Sequence, residues 1–274
     1  MNLYISTTLR DDREAGSVFS LLDDCEDGSL GIEIFPLCHE EGYFRNLDRL
    51  MPRLAEFPVT FHEPYYESDH SFDKTSQEYF KTRTHCERTF EYAASLRARH
   101  VVYHLNNRPV EDRETMIQNA LFNLWEMGDL AKSHGLEILV ENTGIISLGN
   151  MLFDQREFTR LIENLEYDCL FDIGHANCNA WHIESALMTL RNKIRCYHVH
   201  NNYGVSDDHN RIQDGTLDTE RFWECYREYT PDADIVIEYR PELLQGDNLD
   251  WLKDDIAYIR KMTSNIPLTE DAVA

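Results

Sequence analysis

The chain has 274 residues, 42% hydrophobic and 28% charged, which is the composition of a packed globular protein and excludes a disordered or fibrous one. Acidic residues number 50 against 26 basic ones, a formal charge of −24; with no basic cluster along the chain, this argues against a nucleic-acid partner on charge alone and leaves no patch for an anionic membrane. No stretch approaches the roughly 18 consecutive apolar residues of a membrane span, the opening MNLYISTTLR lacks the apolar run of a signal peptide, and the 7 cysteines form no C-x-x-C pair, so a cytoplasmic protein with free thiols is expected.

Taken in chain order, short β-rich runs alternate with helical patterns. The strands expected are Leu3–Thr7, Gly31–Phe35, Pro58–His62, His100–His104, Glu137–Glu141, Cys169–Asp172, Arg195–His198 and Ile235–Glu238. Most, such as ILVE and IVIE, are continuously apolar, which suits strands buried on both faces inside a layer of helices. Lys74 to Arg99 reads as one long helix. Asp112 to Lys132 reads as another, with Met116, Ala120, Leu121, Leu124 and Ala131 as its apolar stripe and Gly135 as its stop. Asp154 and Glu157 form a capping box ahead of Phe158, Leu161, Ile162 and Leu165. Asp218 caps the helix carrying Phe222, Trp223 and Tyr226, and Leu249 to Met262 makes the last helix.

No linker divides the chain, so residues 1–274 read as one domain with a loose tail after about residue 263. Eight strands joined by helical crossovers, with no glycine-rich phosphate loop, favour a closed (β/α)8 TIM barrel over an open doubly wound sheet.

In such barrels the site is built at the carboxyl ends of the strands. Six of the runs end on His62, His104, Glu141, Asp172, His198 and Glu238. One such residue is as easily a hydrogen-bonded rim residue as a ligand; six in matching positions point to a site. The GHAN turn adds His175 three residues after Asp172, and the loop after His198 adds Asp207 and His209 as a D-x-H pair. Imidazole and carboxylate without cysteine is the donor set of a catalytic centre for zinc, manganese, iron or cobalt.

These pieces, His62, His104, the E-N-T at Glu141, the D-x-G-H at Asp172 and His175, the H-V-H-N-N at His198, the D-x-H at Asp207 with Gly215 beyond it, and Glu238, resemble the xylose isomerase-like superfamily over nearly the whole chain. That superfamily holds sugar isomerases and epimerases, inosose-processing enzymes and the endonuclease IV group. The resemblance to its epimerases implies a divalent ion (Zn, Mn, Co or Mg) on Glu141, Asp172, His198 and Glu238, with the two glutamates also moving a proton beside a carbonyl through a metal-stabilised enediolate. It implies a small carbohydrate-like substrate contacted by His62, His104, His175, His200, Arg211 and Arg240. Glu33, inward-facing by its alternation with Ile32 and Ile34, is expected either to touch substrate or to accept a hydrogen bond from a neighbouring histidine. His198 and His200 point the same way along a strand, so their roles are exchangeable at this level. Tyr65, Tyr66, Trp181 and Tyr203 are loop aromatics for a sugar face, although packing is the commoner role of such residues.

The resemblance to endonuclease IV implies instead a larger set, in which His62, His104, His175, Asp207 and His209 join the four ligands to hold up to three zinc ions for phosphoester hydrolysis. A dehydratase or lyase acting on a cyclic hydroxy-ketone would use the same enolisation. One ion and isomerase or epimerase chemistry are the favoured expectation. A homo-oligomer is compatible with the sequence.

Overall fold

The computed structural model describes residues 1–25, 30–244 and 248–264; the tail expected to be loose lies largely outside the described residues. Strands β1 (Leu3–Thr7), β2 (Leu30–Ile34), β3 (Val59–His62), β4 (Val101–Tyr103), β5 (Ile138–Glu141), β6 (Asp168–Asp172), β7 (Ile194–Val199) and β8 (Asp234–Ile237) pair in sequence order, all parallel, and β1 closes on β8. The helices follow the strands around the barrel: α1 (Asp12–Asp24), α2 (Tyr43–Leu54), α3 (Gln77–Ser95), α4 (Arg113–Ser133), α5 (Gln155–Asn164), α6 (Ile173–Cys178), α7 (Ile183–Leu190), α8 (Thr219–Tyr229) and α9 (Asn248–Thr263).

Local chemistry sets the helix limits. Ser76 accepts the Tyr79 amide and starts α3 later than the apolar pattern suggests, while Arg97 at φ 54° turns the chain into β4. Asp112 caps α4, and Gly135 at φ 73° follows its end in the left-handed region that glycine enters without a Cβ penalty. The Asp154–Glu157 capping box is formed, and Asp218 caps α8.

Two apolar layers hold the barrel. The outer one packs helix stripes, such as Phe158 and Ile162 of α5 or Phe222, Trp223 and Tyr226 of α8, against the outward side chains of the strands. The inner one is a separate plug of Tyr4, Val102, Leu139, Leu170, Cys196 and Val236. Side chains repeat every second residue along a strand. Two positions beyond Val102, Leu139, Leu170, Cys196 and Val236 therefore stand His104, Glu141, Asp172, His198 and Glu238, all buried. The apolar plug is the floor on which the polar layer is built.

Candidate metal centre

Glu141 is the hub. Its Oε2 lies 3.0 Å from His104 Nε2, 3.5 Å from His198 Nδ1 and 3.9 Å from His62 Nε2, and its Oε1 lies 3.1 Å from His175 Nδ1. His198 Nδ1 also faces Glu238 Oε2 at 3.2 Å and Asp172 Oδ2 at 3.7 Å. The four residues expected as ligands thus meet around one ring nitrogen. Asp172 caps α6 by accepting the His175 amide at 2.7 Å, which brings that imidazole beside Glu141. Asp207 Oδ2 completes the group at 3.2 Å from His175 Nε2 and 2.9 Å from His209 Nε2.

The outer faces of the rings decide what these contacts mean. His62 Nδ1 meets the Glu63 carbonyl at 2.8 Å, His209 Nδ1 meets the Glu238 carbonyl at 2.9 Å, and His198 Nε2 meets the Glu33 carboxylate at 3.1 and 3.3 Å. Carbonyl and carboxylate oxygens only accept, so each of those nitrogens carries the hydrogen of a neutral ring. The opposite nitrogen then points a lone pair at carboxylate oxygens, an arrangement that requires a cation between them. Either extra protons or metal ions supply it, and fixing a ligand histidine through its far nitrogen is the usual support of a metal site. The buried His175 Nδ1, His198 Nδ1, His200 Nδ1 and Asp207 Oδ1 have no hydrogen-bond partner among the described residues. Donor atoms lie within 4.8 Å of one another in four groups: His62, His104 and Glu141; Glu141, Asp172 and His175; Glu33, His198 and Glu238; His200, His209 and Glu238. The residues therefore fit a divalent metal.

Without a metal the same contacts shift proton affinities strongly. Burial alone lowers His104, but Glu141 outweighs it and lifts the ring to about 8; burial of His209 is likewise overcome by Asp207 and Glu238, to about 10. Burial and His104 press His62 down to about 3. The two glutamates move apart. Burial favours protonated Glu141, yet His104 and His198 hold it well below its ordinary value, whereas burial raises Glu238 despite His198 and His209. Unequal proton affinities in a carboxylate pair are the electrostatic signature of one base and one acid.

A cavity of about 280 Å³ opens above these groups, with Phe35, Tyr65, Tyr66, Ile145 and Leu148 on its walls and Arg240 at its rim. His62, His104, His175, Asp207, His209, Glu141 and Glu238 reach it. Other expected contacts do not. Arg211 turns away to pair with Asp255 through two contacts of 2.8 Å. Glu33 lies beneath His198, fully buried, and His200 sits behind Asp172 at 3.0 Å, so His198 is the ring that faces the four-residue centre. Trp181 packs on Phe158 and Phe171, and Tyr203 is exposed and bonded to Asp214. Sequence reasoning passed over Phe35, whose ring stacks on His62 at 4.4 Å and whose place at the end of the second apolar run was the available signal. It also passed over Asn107, three residues after His104 with no motif to mark it.

Residues 18–262 match the family model described as xylose isomerase-like TIM barrel, and the chain belongs to that family. Among solved structures it is similar to a D-tagatose 3-epimerase-like protein (20% identity, 96% of this chain and 100% of that one, TM-score 0.73). It is also similar to D-psicose 3-epimerase with D-tagatose from Clostridium cellulolyticum H10 (12% identity, 96% and 100%, TM-score 0.74) and to the IOLI protein with a binding zinc atom (16% identity, 97% and 100%, TM-score 0.73). These likenesses show the fold. An uncharacterized protein of Methanocaldococcus jannaschii is 29% identical over 129 residues, covering 45% of this chain and 43% of that protein, so the match spans less than half of that relative. Among the described residues no helix is long and apolar enough to cross a membrane.

Proposed function

We propose that this chain is a divalent-metal-dependent isomerase or epimerase of a small hydroxy-carbonyl carbohydrate. The observation that carries the reading is the convergence of Glu141 and Glu238 on His198 Nδ1, at 3.5 and 3.2 Å, with opposite shifts in proton affinity. Glu141, Asp172, His198 and Glu238 would hold the ion, which supplies Lewis-acid polarisation of a substrate carbonyl. Ionised Glu141 takes the proton from the carbon beside that carbonyl, and the C–H electron pair becomes a C=C bond as the C=O π pair moves onto the carbonyl oxygen. On the return the C=C pair takes a proton from protonated Glu238 on the opposite face of that carbon while the oxygen's pair re-forms C=O. His175 and His104 reach the cavity to orient hydroxyls, and the Phe35, Tyr65 and Tyr66 wall suits the C–H faces of a sugar ring. Arg240 is the one lysine or arginine among the described residues lining the cavity, which favours an uncharged substrate over a phosphorylated one.

The test is a panel of ketoses and inososes incubated in D2O with the protein loaded with Mn, Co, Mg or Zn, read as deuterium entering the carbon beside the carbonyl. Glu141→Gln and Glu238→Gln are expected to lower exchange by roughly 10²–10⁴-fold with an unchanged circular dichroism spectrum. Near-normal turnover in either variant would remove the acid-base assignment.

A second reading is favoured by the abutting groups at His62, His104 and Glu141 and at His175, Asp207 and His209, which together suit up to three zinc ions and phosphoester hydrolysis. Metal content separates the two. One ion per chain supports the isomerase, while two or three zinc ions with cleavage of abasic DNA support the hydrolase despite the charge of −24. A lyase on a cyclic hydroxy-ketone shares the proton abstraction and would be told apart by loss of water from the product.

A further inference from the structure

Behind the β3 end of the site lies a buried polar network that the proton chemistry above does not use. Glu63, Asp69 and His70 are almost fully buried, and none of them lines the cavity. Glu63 Oε2 is 2.7 Å from His70 Nε2; Asp69 accepts the backbone amides of Asn107 and Arg108 at 2.6 and 2.8 Å and that of Ser71 at 2.7 Å. Asn123 fastens the His70 carbonyl at 2.6 Å, and the His70 ring packs on Tyr103 at 4.2 Å. Burying two carboxylates is costly unless they are fully engaged, so the network calls for a purpose.

Its contacts converge on one side chain. Asn107 Nδ2 is 3.0 Å from the Ser68 carbonyl and 3.5 Å from Glu63 Oε1, both acceptors, so the amide nitrogen must face them. Its Oδ1 is then left to face His104 Nδ1 at 2.8 Å and can only accept. The histidines His62, His198 and His209 are held by carbonyl or carboxylate oxygens, which have no donor to offer in any orientation. His104 alone of these four depends on an amide, and a free amide could turn over and reverse the ring's tautomer.

We propose that Asn107, locked by Glu63, Ser68 and Asp69, is the positioning residue that fixes the hydrogen of His104 on Nδ1 and so presents its Nε2 lone pair to the centre beside Glu141. The consequence for metal binding rests on the reading above, but the tautomer does not.

The experiment therefore uses the metal-free full chain. Long-range ¹H–¹⁵N spectra of ¹⁵N-histidine-labelled protein, recorded at pH 9.5, well above the ordinary imidazole value of about 6.5, report which ring nitrogen carries the hydrogen. Wild type is expected to show Nδ1–H at His104. Asn107→Asp, which keeps an acceptor, is expected to retain that pattern, and Asn107→Leu is expected to move the hydrogen to Nε2, where Glu141 accepts it. Nε2–H in the wild type, or an unchanged Nδ1–H in Asn107→Leu, would overturn the proposal. Where Asn107→Leu does not fold, Asn107→Asp decides: Nδ1–H supports the assignment and Nε2–H refutes it. A failed isomerase assay leaves this result standing, and a wrong tautomer leaves the isomerase reading standing.

Discussion

His198 bridges two carboxylates from opposite sides of its ring, Glu33 at 3.1 Å from Nε2 and Glu238 at 3.2 Å from Nδ1. Glu33 and His198 are both fully buried, and Glu33 is not a cavity residue. Of the two roles expected for Glu33, the hydrogen bond to a histidine is the one formed, and it raises the basicity of Nδ1 and fixes the ring plane of the residue proposed as a metal ligand.

Glu33→Gln keeps an acceptor but removes the charge. Zinc affinity, measured by competition with a chromophoric chelator, is expected to fall roughly 10–100-fold. The fold should persist, because an amide of similar shape still fills the site. Wild-type affinity in this variant would show that Glu33 only fills space beneath the ring.

The metal-free chain should show an unusual pH profile. Its proton affinity at His104 is raised to about 8 and at His209 to about 10, against an ordinary 6.5, because Glu141, Asp207 and Glu238 outweigh burial. A group whose folded value is raised stabilises fully below its unfolded value, and that stability is lost as pH rises through the folded one. These two rings therefore make stability decline between about pH 6.5 and 10. His62 and His100 act in the other direction: burial lowers them to about 3 and 4, so their contribution is lost as pH falls below 6.5. From these histidines the melting temperature in EDTA is expected to peak near pH 6.5 and fall toward pH 10. A divalent ion held by Glu141 and Glu238 would offset the negative charge that raises these two rings, so saturating zinc should weaken the alkaline decline. A flat alkaline limb in EDTA would show that the inner nitrogens do not hold protons in the metal-free state.

Much of this centre was legible in the sequence for one geometric reason. Each inward apolar residue is followed two positions later by a polar one, as Val102 by His104 and Leu139 by Glu141, so the strand ends carried the site in plain order. The same period identified Glu33 as inward but could not name its partner, since His198 is 165 positions away and is brought near only by barrel closure. Asp69 and Asn107 were illegible because they belong to loops, where no periodicity assigns a direction. The choice between His198 and His200 was beyond the alternation rule for the opposite reason: both obey it, and the contacts of Asp172 and Glu238 separate them.

Arg211 was expected at the substrate from the resemblance to the epimerases alone. Its guanidinium is instead bidentate on Asp255 of α9 and lies over the Trp251 ring at 5.5 Å. Asp255 is buried and also accepts the Tyr239 hydroxyl at 3.1 Å, which in turn accepts the Ile212 amide. The pair thus ties the last helix to the loop after β7. Arg211→Ala leaves a buried carboxylate short of its main partner, a loss of roughly 1–3 kcal/mol, and should lower the urea midpoint by that loss divided by the m-value. Because the guanidinium does not reach the cavity, kcat and KM on any ketose turned over by the wild type are expected to stay near their original values. A large fall in kcat/KM with an unchanged urea midpoint would return Arg211 to the substrate.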